Sequence, residues 1–266
     1  MRNPLKYTAK NRQSGLSLVE LMIGMALGLI LLLGVIQVFL SSRQTLAVND
    51  AMSKLQENGR FGLEFISQSA RIAGYTSPGT PLSKPFPIEP RNCALNSGTA
   101  CSANGGGNVS DTVSFTFEPP SIDGAKRDCA GVVIPDNQII INTYFIAAPD
   151  ANNPSPALAC RSFNRTTNQP VSPTSRLIDG VENMQVLYGI DAGGDSTSVN
   201  QFVSADRVTN WGKVLSVRIA LLATSVDTIS PPPPVRNFYL LDAPPIAPDD
   251  GLARQIFTTT IQLKNI

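Results

Sequence analysis

The hydrophobic and polar positions divide the chain into three textures. From Leu16 to Leu40 roughly 25 residues form an apolar run in which Glu20 is the one charge. As a helix this run reaches ~37 Å, enough to cross a hydrocarbon core of ~30 Å. A cleaved secretory signal would need only about 7 to 15 apolar residues closed by a small-x-small site, which is missing here. The run is therefore a predicted membrane span. Between Arg43 and Gly74 the spacing becomes helical and two-faced. Val48, Met52, Leu55, Phe61, Phe65, Ile66 and Ile72 fall on one arc, while Asp50, Glu57, Arg60, Glu64, Gln68 and Arg71 fall on the other. Gly74 and Pro78 end the pattern, which predicts one helix from Leu16 to about Gly74 with an Arg60–Glu64 pair on its polar side.

Beyond Pro78 loops rich in Pro, Gly, Ser and Asn separate short runs of β-formers. Alternation at Val113, Phe115 and Phe117, at Leu215, Val217, Ile219 and Leu221, and at Phe257, Thr259, Ile261 and Leu263 predicts half-buried strands. The stretches QIIINTYFIA, NMQVLYGI and RNFYLL add three more candidates. The fold class is α+β, a long N-terminal helix laid on one face of an antiparallel sheet. The divisions are residues 1–15 as a leader, 16–41 as the membrane half of the helix, 42–74 as its amphipathic half, and 75–266 as a β-rich head.

Charge sets the orientation. Arg2, Lys6, Lys10 and Arg12 precede the apolar run with no acid among them, and only Arg43 follows closely. The positive-inside rule then puts the N-terminus in the cytoplasm and exports everything after Ser42. With no basic stripe elsewhere, nucleic acid is not an expected partner. Histidine is absent, which removes histidine triads, His-ligated zinc and the commonest general base. No nucleophile elbow, phosphate loop or dinucleotide fingerprint stands in the chain, and SANGGGNVS reads as a surface loop. Neither catalysis nor a cofactor is expected.

All four cysteines, Cys93, Cys101, Cys129 and Cys160, lie beyond the span in a compartment that permits disulfides. Three pairings are open; local closure favours Cys93 with Cys101 and Cys129 with Cys160. No spacing suggests zinc. Asp191 and Asp195 in DAGGDSTSVN place acids around two glycines as a weak calcium candidate that misses the EF-hand pattern. Gly24 and Gly28 form a G-x-x-x-G pair that permits close helix approach.

A carboxylate in an apolar helix is costly, so Glu20 calls for a partner or a purpose. A basic leader ending at Gly15, then LSLVE with Glu20 five residues past the glycine, then an unbroken apolar run, resembles the class III signal of type IV prepilins. The resemblance implies that a prepilin peptidase cuts between Gly15 and Leu16 and methylates the new amine; Leu16 stands where phenylalanine is usual. It also implies that Glu20 of one subunit pairs with the N-terminal amine of its neighbour. A signal-anchor whose glutamate snorkels to the headgroups is the plainer alternative.

LQENGRFGLEFISQSARIAGY, RLIDGVENMQVLYGID, VLSVRIALLATS and RQIFTTTIQLKN together resemble the PilW-type minor pilins, whereas residues 81–157 resemble no named family. What this implies is a type IV pilin-like fold and a low-abundance subunit that primes pilus assembly, at the tip. Its partners would be other minor pilins and pilus subunits through the N-terminal helix, the peptidase, a PilY-type adhesin and the inner membrane. The head would be periplasmic before assembly and on the surface pilus afterwards. Two rivals remain, a J-type minor pseudopilin of a type II secretion system and a membrane-tethered periplasmic enzyme or binding protein.

Overall fold

The computed structural model describes residues 15, 17–87, 101–193 and 198–266. One α-helix among the described residues, α1, spans Leu18–Ile72. The chain divides into two compact units within it, one to Ala47 and one from Val48 to Ile266.

In the second unit α1 is followed by eleven strands among the described residues. They are β1 (Val113–Phe117), β2 (Ser121–Ile122), β3 (Ala125–Arg127), β4 (Val133–Ile134), β5 (Ile140–Ala147), β6 (Ala157–Asn164), β7 (Gln169–Asp179), β8 (Val181–Ile190), β9 (Gln201–Val203), β10 (Val214–Thr224) and β11 (Arg254–Gln262). They form two four-stranded sheets, ordered β1-β5-β6-β7 and β11-β10-β8-β9, and a small sheet β2-β3-β4. Every pairing is antiparallel. The head is thus a long helix on antiparallel sheets, with two main sheets where one was expected. One core joins them: Ile66 and Ala70 of α1 and Ala73 just after it meet Phe115, Tyr144 and Leu158 from the first sheet and Met184, Ile219, Leu221 and Ile261 from the second.

The face by which α1 meets the head differs from the arc of large apolar residues. Leu55 and Ile66 are buried, but so are Gly59, Gly62, Ser67, Ser69 and Ala70, while Phe61 and Phe65 remain 41% and 42% exposed. The reason is distance. A Cβ at Gly59 would overlap the Phe257 ring of β11, and one at Gly62 would lie 2.9 Å from Leu221 Cδ1 of β10. The two glycines bring the helix backbone against the side chains of the second sheet, and the bulky phenylalanines are turned to the flanks. The polar arc stays exposed throughout. Its ion pairs are Asp50–Lys54 at 2.8 Å and Glu64–Arg71 at 3.6 Å, in place of the expected Arg60–Glu64. Acid before base is the favoured order along a helix, and the Arg60 guanidinium lies 5.6 Å over the Phe61 ring instead.

The helix stops where the chain must reverse. Gly74 has φ +82°, its N–H donates to Thr116 O at 2.8 Å, and Asn265 Nδ2 donates to Ala73 O at 3.2 Å. Residues at opposite ends of the head thereby satisfy helix-end groups.

The strands are sealed on both faces more often than alternation predicts. All five residues of β1 are buried, and β10 is buried at every position except Arg218. Loops cover the polar faces: Ser114 Oγ donates to Cys101 O at 2.7 Å and Ser114 N–H to Ser102 Oγ at 3.0 Å. RNFYLL is not a strand. It contributes one bridge, Phe238 to Ile246, and Phe238 and Leu240 lie over Leu222 as a lid on the second sheet. The prolines before and after it supply too few N–H groups for a ladder.

Buried polar side chains fasten the loops. Asp111 accepts the N–H of Gly105 and of Val186, each at 2.8 Å, tying the first sheet's approach loop to β8. Its burial pushes the carboxyl up to about 6 despite those two bonds. Glu118 is fully buried and receives Lys126 Nζ at 2.6 Å and both the N–H and Oγ of Ser77. Burial alone would raise its pKa, but these donors prevail and hold it at about 2. Arg254 forms a fork to Asp250 and reaches Glu182 at 2.9 Å. Chiefly through that fork, Asp250 is also held at about 2.

Two predictions follow from these contacts. Gly79 also has positive φ but open space around it, so Gly79→Ala costs about 1 kcal/mol of backbone strain, whereas Gly74→Ala, where the Asn265 carbonyl must also move, costs about 3 kcal/mol. Denaturant unfolding of the head measures both. In acid, Asp111 and the pair Glu118/Asp250 act oppositely. A raised carboxyl favours the fold as pH falls from about 6 to 3.8, and depressed ones withdraw stability as pH falls from their ordinary range towards about 2. Melting temperature should therefore peak near pH 4 to 5; Asp111→Asn removes the rise on its neutral side, and Glu118→Gln weakens the fall on its acid side.

Candidate assembly interface

The N-terminal unit presents its chemistry openly. Gly15 is exposed with nothing within 4 Å of where a Cβ would stand. Leu16 lies outside the described residues. Ser17 opens α1: its Oγ accepts the Glu20 N–H at 3.2 Å and its carbonyl accepts the Leu21 N–H, also at 3.2 Å. Ser17-Leu18-Val19-Glu20 thus has the spacing of a capping box, and the Glu20 carboxylate sits in the first turn, where the positive end of the helix favours an anion. The LSLVE stretch contained this cap, which a reading centred on charge alone overlooks. No cation among the described residues forms an ion pair with Glu20.

From Leu18 to Leu40 the large apolar side chains are 50–75% exposed. The most apolar window of α1 has mean hydropathy 2.6, long and apolar enough to cross a membrane. Gly24, Gly28 and Gly34 leave flat places with nothing within 4 Å of their missing Cβ positions. Near the end of the run, the Arg43 guanidinium lies 4.7 Å over the Phe39 ring. In water such a surface is unfavourable by roughly 25 cal/mol per Å², so it requires lipid or the helices of other subunits.

In the head, Cys129 and Cys160 are joined, with Cα atoms 6.4 Å apart, and link the β3–β4 turn to β6. Cys101 is disulfide-bonded as well, while Cys93 lies outside the described residues. Asp191 is buried, and its Oδ1 accepts the N–H of Gly193 and Nδ2 of Asn200, both at 2.8 Å. That is the work of a turn-forming aspartate. Asp195 lies outside the described residues, and no group of His, Cys, Asp or Glu able to hold a metal occurs among the described ones.

Comparison with known proteins agrees with this division of labour. The model of the Type IV Pilus-assembly protein W family matches residues 143–265, the span from β5 to the C-terminal strand. The prokaryotic N-terminal methylation motif matches residues 10–36, which include Gly15, Leu16 and Glu20. Among solved structures, a type IV-like pilin from Thermus thermophilus is similar at 17% identity and TM-score 0.48, over 79% of this chain and 96% of that one. No curated protein matches by sequence. Pilins are structural subunits, and the methylation motif with one apolar helix indicates membrane anchoring and association with other pilus components. A methylation motif on an exposed apolar helix, followed by an antiparallel head whose larger part matches the W family model, makes this chain similar to the PilW-type pilins and supports a pilin role in the type IV pilus.

Proposed function

We propose that the chain is a structural, non-catalytic subunit that primes assembly of the type IV pilus, within a tip complex of minor pilins and a large PilY-type adhesin. The observation that carries this reading is the pairing of an exposed apolar helix with one acid, Glu20, in its first turn. A prepilin peptidase cuts after Gly15 and methylates Leu16, leaving a cation four residues before that acid. The head waits on the periplasmic side of the inner membrane and is carried to the cell surface on assembly. The amine of one subunit then meets Glu20 of the next inside the packed helices. Two charges that lipid disfavours singly become complementary when subunits register. The disulfide head suits the oxidising side of the membrane.

Intact mass tests the processing step: the mature chain should start at Leu16 and carry one extra methyl group. A membrane form still bearing residues 1–15 in cells with active peptidase contradicts it. Glu20→Ala tests registry. Insertion should be unharmed, because a charge has been removed from an apolar helix. Breaking a buried pair costs about 3 to 5 kcal/mol, so the priming complex should fall by roughly two to three and a half orders of magnitude. Pilus number per cell should drop while the processed chain stays constant in the inner membrane. Wild-type pilus number in the variant refutes registry. Mass spectrometry of sheared surface fibres separates this reading from a secretion pseudopilin, which would stay in the envelope.

A further inference from the structure

Sheets end in strands whose outer N–H and C=O groups are unpaired, and folded proteins usually shield them. Most edges in this head are shielded. Beside β1, Thr116 N–H donates to Pro85 O, Thr116 O accepts Gly74 N–H, and Glu118 N–H donates to Tyr75 O. At the opposite edge of that sheet β7 carries Pro170 and Pro173 and loses regular register with β6 at three places. The edges β9, β2 and β4 span only three, two and two residues.

The edge strand β11 differs from all of these. Its nine residues run in unbroken register with β10 from Ser216↔Gln262 to Thr224↔Arg254. From Gln255 to Leu263 it contains neither proline nor charge. Among the described residues, no backbone group outside the β10 pairing bonds to the main chain from Gln255 to Gln262. Thr258, Thr260 and Gln262 are exposed along it.

We propose that the free edge of β11 receives an extended strand of another pilus subunit, which adds to the second sheet by main-chain hydrogen bonds. This rests on the reading of the chain as a fibre subunit. The occupant is a different subunit and not a second copy paired about a two-fold axis, because such a pair closes on itself, whereas a contact between unlike surfaces can continue along a fibre. Main-chain bonds supply the affinity, and alternate side chains supply the choice. An incoming strand of about eight residues, some 27 Å long, would cover the edge. Opposite Thr258 and Thr260 it meets uncharged β-branched neighbours, which favour Thr, Val or Ile across the pair. Arg218 Nε donates to Thr260 Oγ1 at 3.1 Å, placing a cation on the same face that disfavours a basic residue there.

The test uses the three consecutive threonines in the full-length chain in cells. Proline removes an N–H, and along a strand successive N–H groups point to opposite edges. Thr258→Pro and Thr260→Pro therefore share one outcome and Thr259→Pro has the other. One parity breaks the β10 ladder and leaves a protease-sensitive head. The other keeps a protease-resistant head but lowers the chain in sheared fibres at least tenfold, while the matching alanine variants assemble normally. Hydrogen exchange of the wild-type chain supplies a second measurement. Alternate β11 amides should exchange quickly in the detergent-solubilised chain and be protected in fibres. Folded proline variants that enter fibres at the wild-type level, β11 amides equally unprotected in fibres, or a β11-dependent homodimer in detergent would each overturn the proposal. Wild-type chain confined to the membrane and absent from fibres would refute the fibre reading itself, and the partner named here with it.

Discussion

The head is organised by how closely the second half of α1 approaches the second sheet. Gly59 and Gly62, three residues apart, let the helix backbone rest on Phe257 and Leu221 without intervening side chains. Interiors packed at crystal-like density do not absorb an extra methyl group cheaply, so this separation sets the positions of everything in contact with the helix. Ser69 Oγ and Tyr144 Oη meet at 2.7 Å, and Gly74 turns directly under β1. Both contacts depend on the same helix position.

A loop-rich head needs more than an apolar core, and this one uses buried polar anchors. Asp111, Glu118 and Arg254 each gather several partners and each lies under a segment that the sheets alone would not hold. A buried charge stripped of its partners is strongly unfavourable, so these anchors specify where the loops return as well as adding stability. The Cys129–Cys160 link does the same covalently for the small sheet. Around them, loops cover the faces of β1 and β10 turned away from the central core, and the head exposes apolar residues such as Leu82, Ile122 and Tyr239.

The N-terminal unit follows the opposite logic. Its apolar side chains are exposed along the whole run, and its single acid is placed where the helix end favours it. A surface of that kind is stable only when lipid or neighbouring helices cover it, which accords with membrane anchoring and association with other pilus components. Glu20 is thus acceptable at a helix start in isolation, where the positive end of the helix offsets part of its cost.

Features that depend on local order are legible in the chain alone. Length and hydropathy define the apolar helix, Gly15 and Glu20 fall within the matched methylation motif, period-two runs locate β1, β10 and β11, and runs of β-formers locate β5 and β8. Helix continuity through Ser42 is legible because nothing between Leu40 and Ile72 breaks the period. Which helix face is buried was settled by packing, because amphipathic patterning ranks residues by size and polarity and gives no weight to glycines that act by leaving space. Packing also decided that the strands form two sheets, that RNFYLL is a lid, and that both faces of β1 are covered. The seating of the helix depends on contacts between residues more than a hundred positions apart, such as Ala73 with Asn265 and Asn58 with Asp179. Such contacts leave no period in a single chain.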